Sequence, residues 1–293
     1  MGKIKSIFTK KEASPSNNLI TKYRKGFGSG FNVFLSENDD STGMGLGIHR
    51  LQEDETVTVS TKNREVALTV FFGEGELLAE GRRVRFKRAD WITEEPTVIH
   101  VPCNTELAIK AHSYCEVIET AVPNPQPFEI RLYEPAEIRS EWRGKGTLNE
   151  AATRIVRTAF DHRNSPQFAR LVLGEVVTWP GRWSSYPPHW HEQPELYYYR
   201  FKMPQGYGHA EMGDEIFKVR DRDLLRITDC RGHAQVAAPG YFMYYLWVVR
   251  HLPGKPYTGF TYFPEHEWTT RAKNAPGTPA GFEVSDPMTN GPL

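Results

Sequence analysis

Cysteine is scarce in this sequence: Cys103, Cys115 and Cys230 are the only three among 293 residues. An odd number at wide spacing suits neither a disulfide framework nor a cysteine zinc knuckle, and fits a reducing cytoplasm. Net charge is lacking as well, since Lys+Arg and Asp+Glu balance at 36 each and no long block carries one sign. That removes the basic surface a nucleic-acid backbone demands. No apolar run reaches the roughly 18 residues of a membrane span, and MGKIKSIFTKKEASPSNNLI at the start is basic and polar without a signal-peptide core. Helix signals are few and none resembles a helix-turn-helix, which argues against a transcription regulator. The expectation is a soluble, cytoplasmic protein with neither nucleic acid nor membrane as partner.

What the chain has in quantity is strand pattern. Period-two, β-branched and aromatic runs occupy residues 65–72, 107–112, 116–122, 168–178, 196–201, 224–227 and 241–250, punctuated by Gly, Pro and Asn- or Asp-containing turns. Residues 149–160 (NEAATRIVRTAF) suit a short helix capped by Asn149 and a strand equally well. Three prolines in VPNPQPFEIR, residues 122–131, separate two β-rich halves of the size expected for domains. The expected domains are therefore residues 1–127 and 128–293, the second ending in a Gly- and Pro-rich surface tail over 274–293. The halves share a rough plan. Glu65 precedes VALTVFF and His100 lies in TVIHVP, while Glu195 precedes LYYYRF and His233 lies in GHAQV. This weak duplication predicts two similar β-barrels in tandem.

The chemistry concentrates in SSYPPHWHEQPELYYYRF, residues 184–201. In an extended strand His189 and His191 share a face and Trp190 points away. A turn at Pro194 would return Glu195 beside the imidazoles, giving a hairpin with an inward metal-binding face. Two neutral imidazoles and a carboxylate suit a divalent transition metal and leave coordination positions open. A fourth protein ligand would come from later in the chain: His233 sits in a strand-like segment, with His209 in reserve. A lone histidine in an apolar strand is more often merely packed, but this combination favours metal.

The pattern H-x-H-x3-E with a later histidine resembles the metal motif of the cupin superfamily, whose members are small jelly-roll β-barrels. RWSSYPPHWHE, ELYYYRFKMPQGY and PEHEW resemble the 5-deoxy-glucuronate isomerase family of bacterial inositol catabolism and, more distantly, 5-keto-4-deoxyuronate isomerase. NREVALTVFFGEGEL, FEIRLYEP and GKGTLNEAATRIVR extend the likeness over most of the chain. The resemblance implies an all-β fold of two tandem cupin barrels, and metal ligands His189, His191, Glu195 and His233. It also implies a single divalent ion, zinc first and Mn, Fe or Ni otherwise. In the first half the positions matching the histidines are Val59 and Thr61, so the N-terminal barrel is expected to be metal-free. His49, His112, His162, His251 and His266 read as structural.

The implied reaction is aldose–ketose isomerisation of 5-deoxy-D-glucuronate to 5-dehydro-2-deoxy-D-gluconate, in which an open-coordination metal polarises a carbonyl and its neighbouring hydroxyl. Glu192 is the expected base and Tyr245 the hydrogen-bond donor or acid. Arg182, Arg200 and Lys255 are candidates for the substrate carboxylate. Tyr197 and Tyr199 share the face of Glu195 and are expected to line the cavity. A homodimer or higher homo-oligomer is the expected assembly. The chain departs from the family in a shortened Glu192–Pro194 connection, in Thr228-Asp229-Cys230-Arg231-Gly232 before the last histidine, and in Trp247 where relatives carry a small polar group. Those departures bear on substrate. They keep open an isomerase of another uronate, a two-cupin metal dioxygenase and a non-catalytic sugar-binding cupin.

Overall fold

The computed structural model describes residues 19–280 apart from 25, 39 and 40. The expected tail is thus described only up to residue 280, and the basic start of the chain lies outside the described residues. The first half contains β1 (Ile20–Lys22), β2 (Gly30–Leu35), β3 (Gly45–Leu51), β4 (Thr56–Ser60), β5 (Arg64–Ala79) and β6 (Arg82–Arg88). It continues through β7 (Val98–Val101), β8 (Glu106–Ala111) and β9 (Cys115–Pro123). After the proline-rich junction come β10 (Arg131–Tyr133), β11 (Arg139–Arg143), β12 (Arg154–Phe160), β13 (Leu171–Thr178), β14 (Trp183–Trp190) and β15 (Glu195–Phe201). The last strands are β16 (Tyr207–Met212), β17 (Glu215–Arg220), β18 (Asp223–Ile227), β19 (His233–Ala237), β20 (Met243–Arg250) and β21 (Thr261–Tyr262). The ambiguous segment resolves into a 3-10 turn over Leu148–Glu150 followed by strand β12.

The chain is mostly β, and the strands form stacked antiparallel layers. In the second half a seven-stranded sheet, β1-β18-β15-β20-β13-β12-β11, faces a five-stranded sheet, β17-β16-β19-β14-β21. Tyr197, Tyr199, Met243 and Tyr245 from the first pack with Ala210, Met212 and Ala237 from the second. Neither sheet closes on itself, so the observed form is a sandwich with open edges rather than a hydrogen-bonded barrel. β14 and β15 do not pair as the expected hairpin. β14 pairs with β19 and β21 in one sheet and β15 with β18 and β20 in the other, so residues 191–194 cross between layers. Alternation within a strand is a local property, but partner choice is set by the whole sandwich.

The seven-stranded sheet is covered on both faces. Leu196, Tyr198, Tyr244, Leu246 and Val248 point away from the five-stranded layer and pack on Phe34, Met44, Ile48 and Phe71 of the first half. This explains why β13 (LVLGEVVT) is buried at every position and reads as a continuous apolar run. Each large apolar side chain fully buried there contributes roughly 1.5–3 kcal/mol relative to exposure. Within the first half, β5 serves two layers. Its start pairs with β7 and β9, its end with β6 and β8, and it turns the corner at Gly73 with φ 105°. A Cβ there would strike Tyr114 and Cys115, so glycine is required on both counts.

The halves are interlocked rather than merely adjacent. β1 hydrogen-bonds into the second half's sheet beside β18, and β10 returns to pair with β7 of the first. Buried charges cross the boundary too. Glu175 on β13 takes Arg88 of β6 and Arg157 of β12 at the same carboxylate. Glu65, the first half's counterpart of Glu195, accepts from His100, Asn124 and the backbone N–H groups of Arg170 and Leu171.

Candidate metal centre

The open end of the second sandwich is where three elements meet. β14 ends in His189 and Trp190, the crossing segment begins with His191, and β15 starts at Glu195. His233 opens β19 directly across the ladder from His189. Ligand atoms of His191, Glu195 and His233 all lie within 4.8 Å of one another, and all three residues are buried. His189 adjoins this set without belonging to it: its ring centroid is 4.4 Å from that of His233 and 6.5 Å from that of His191. Its other face meets Phe260 at 4.2 Å.

The hydrogen bonds decide which nitrogens are available. His191 Nδ1 is 2.8 Å from the Gln193 carbonyl, and His189 Nδ1 is 3.1 Å from the Ser185 carbonyl. A carbonyl only accepts, so each Nδ1 carries the proton and each neutral ring presents an Nε2 lone pair. His191 Nε2 then stands 3.0 Å from Glu195 Oε2, and His233 Nε2, 3.4 Å from the same oxygen, has no hydrogen-bond partner. Lone pairs converging on a carboxylate repel unless a cation lies among them. The donor set therefore fits a divalent metal, with backbone carbonyls fixing the imidazoles from behind.

Electrostatics favour the ligand forms. Burial holds His189 well below the usual imidazole value, with His233 adding to the effect. Burial raises the Glu195 carboxyl, but the close approach of the His191 and His233 rings outweighs it and brings the group down to about 2. Both are in the state a metal requires at neutral pH.

Beside these residues lies a cavity of about 420 Å³, walled by His189, Glu195, Tyr197, Tyr245, Trp247 and Arg154 among others. A register break between Ser184 and His189 in β14 pushes Ser185 inward, with φ 49°, so that its hydroxyl lies 3.0 Å from Tyr245 Oη and 3.2 Å from Tyr197 Oη. Burial raises both phenols, Tyr245 to about 12 and Tyr197 well above its ordinary value, so both are donors at neutral pH. Trp247 sits opposite Gly174 in the β13–β20 ladder, and a Cβ on Gly174 would meet its indole. Its large ring is accommodated by the absence of a side chain across the ladder.

Other residues singled out in the sequence lie elsewhere. Tyr199 shares the face of Tyr197 but donates to Gln235 in the core and does not line the cavity. Arg200 is on the opposite face, paired with Glu116 and Asp221 and 4.3 Å above Phe71, so it packs against the first half. Glu192 and Lys255 are bound to each other, at 2.5 Å, exposed on the surface outside the cavity wall. Arg182 precedes β14 in a turn outside the cavity wall. His209 is exposed on β16. Arg154, Tyr257 and Tyr262, which line the cavity, were not singled out. The one sequence signal for Arg154 was its place in GKGTLNEAATRIVR.

Residues 19–269 match the model of the KduI/IolB family. The chain is 27% identical over 252 residues to a 5-deoxy-glucuronate isomerase of Geobacillus kaustophilus, covering 79% of this chain and 87% of the relative. It is 26% identical to the protein of that name from Halalkalibacterium halodurans, over 74% of this chain and 84% of the other. Among solved structures, an IolB-like protein from Salmonella typhimurium superposes with a TM-score of 0.76 at 24% identity, covering 86% of this chain and 99% of that one. Bacillus subtilis oxalate decarboxylase superposes with a TM-score of 0.62 at 10% identity, over 86% and 81% of the two chains. This likeness concerns the fold alone. The chain belongs to the KduI/IolB family and is an isomerase.

Proposed function

We propose that this KduI/IolB-family chain is a metal-dependent aldose–ketose isomerase that converts 5-deoxy-D-glucuronate to 5-dehydro-2-deoxy-D-gluconate in inositol breakdown. We read its halves as tandem cupin-type units, the second of which is catalytic and carries the metal. The observation that carries the reading is the convergence of His191, Glu195 and His233 beside a cavity that Glu195 and His189 help to wall and that is large enough for a six-carbon acid. His189 is assigned as the fourth ligand, its Nδ1 already held by backbone carbonyls. A divalent ion there would polarise a substrate carbonyl and the adjacent hydroxyl, making the hydrogen on the intervening carbon acidic.

The protein's own groups handle orientation and protons. Tyr197 and Tyr245 remain protonated and share Ser185, so their hydroxyls are steered toward the cavity rather than free to rotate. Tyr245 is placed to hydrogen-bond to an oxygen that gains charge as hydrogen passes between the two neighbouring carbons. Phe260 and Tyr257 close over His189 and His191 and keep bulk water from the rings. Glu192 is exposed, bound to Lys255 and outside the cavity wall, and is not assigned to proton transfer.

The test is proton NMR of 5-deoxy-D-glucuronate incubated with metal-replete protein, run beside a panel of other uronates. Conversion of the 5-deoxy sugar to the 5-keto product supports the reading. Turnover confined to a different uronate would redirect the substrate, and oxygen consumption without isomerisation would overturn the reaction class.

A further inference from the structure

Three arginines among the described residues are buried, Arg88, Arg154 and Arg157, and two of them meet a carboxylate, Glu175; the less buried Arg200 meets Glu116. Arg154 differs. It is 7% exposed and lines the same cavity as Glu195, and its guanidinium has no acidic partner among the described residues. One Nη donates to the Ala152 carbonyl at 2.8 Å and the other to the Tyr186 carbonyl at 2.9 Å, while Nε has no partner. Of five N–H donors, three remain unused. Its neighbour in the β11–β12 ladder is Arg143, a second cation lining the same cavity. Like charges directly opposite each other destabilise a sheet, and a buried charge without a counter-charge is costlier still. The indole N–H of Trp247, also on the cavity wall, is buried without an acceptor.

A site that retains an uncompensated guanidinium, a like-charged neighbour and an orphaned N–H is built for an anion that arrives with the ligand. We propose that Arg154 anchors the carboxylate of the substrate, with Arg143 supporting it. The acid end is thereby fixed away from Glu195 and the carbonyl end is presented to the metal centre. The proposal rests on the sugar-acid reading for the identity of the ligand. It replaces Arg182, Arg200 and Lys255 as carboxylate-binding residues, because none of those lines the cavity. The bond is a charge-assisted hydrogen-bond pair, in which the planar fork of arginine matches two carboxylate oxygens.

Two probes separate this site from the isomerase reading: D-glucuronate and its neutral methyl ester, titrated by calorimetry against metal-loaded protein. The wild type is expected to bind the acid about 10- to 100-fold more tightly than the ester, in line with hydrogen bonds to a charged group. Arg154→Gln is expected to abolish that preference while leaving the metal content unchanged. Arg154→Lys, which keeps the charge without the fork, is expected to restore part of it, and serves as the test if the glutamine variant does not fold. Equal affinities in the wild type, or an undiminished preference in the variants, would overturn the proposal. If D-glucuronate binds as expected but no uronate is isomerised, the isomerase reading fails and the carboxylate anchor stands.

Discussion

Replacing Glu65 with glutamine tests whether the first half uses its glutamate–histidine pair as a clamp. Glu65 is fully buried, and its two oxygens accept four hydrogen bonds. Oε1 takes His100 Nε2 at 2.7 Å and the Leu171 N–H at 2.9 Å, while Oε2 takes Asn124 Nδ2 at 2.8 Å and the Arg170 N–H at 2.7 Å. Whichever way a glutamine amide is turned, its NH2 group faces two donors. Two hydrogen bonds to a charged acceptor are then lost, at about 1.5–3 kcal/mol each, so the expected destabilisation is about 3–6 kcal/mol. Against a total stability of roughly 5–15 kcal/mol this is severe. Urea unfolding at pH 7 should show the midpoint fall by ~1–2 M for a slope near ~3 kcal/mol per molar. The pH dependence has a fixed sign. Burial raises the Glu65 carboxyl, but His100, Asn124 and the Arg170 N–H more than offset it, and the folded value is lowered. Its contribution is therefore complete above the unfolded value of about 4.3 and is lost as pH falls through the folded value, so the gap between wild type and variant should narrow in acid. A loss below about 1 kcal/mol, or a gap that widens in acid, would refute the reasoning. Metal content should be unchanged, because the site assigned to metal is in the other half.

Glu175→Gln leaves Arg88 and Arg157 buried without their shared counter-charge, and should cost about 3–5 kcal/mol in chemical denaturation. A neutral result would mean that water reaches the triad. Tyr245→Phe removes the hydroxyl bonded to Ser185 and should lower kcat about 100-fold with metal retained, measured by the same NMR assay; unchanged kcat would exclude Tyr245 from the chemistry. Glu192→Gln breaks only the exposed pair with Lys255 and should leave kcat/KM within about threefold of wild type, as exposed ion pairs contribute little. A loss of about 100-fold or more would return Glu192 to the chemistry.

The fold was legible wherever burial imposed a period. β15 alternates between two packed cores, and both Glu195–Tyr197–Tyr199 and Leu196–Tyr198 were readable as opposite faces. The same alternation places Arg200 with Leu196 and Tyr198, away from the cavity, so its assignment to substrate was a misreading of available signal. Strand partnership was not legible, because nothing in SSYPPHWHEQPELYYYRF states that β14 and β15 belong to different sheets. The pairing of His191 with Glu195 was accessible from residue type and spacing, whereas His233 was reached through its strand-like segment and the family likeness. The grouping of His189, Phe260 and Tyr257 depends on a segment about 70 residues further along the chain folding back across the opening. Arg154 was hidden by the ambiguity of its surroundings: a cation in a segment that suits helix or strand gives no face until the sheet is formed. Its distinguishing property, the lack of a buried acidic neighbour, exists only in three dimensions.

In the proposed function His191, Glu195 and His233 hold a divalent metal on which isomerisation depends. Plasma mass spectrometry of wild type and His191→Ala, purified side by side and assayed on 5-deoxy-D-glucuronate, tests it directly. About one divalent ion per wild-type chain is expected, with loss of both ion and turnover in the variant while the thermal unfolding profile stays cooperative. An unchanged metal content in His191→Ala, or full turnover by metal-stripped wild type, would contradict it.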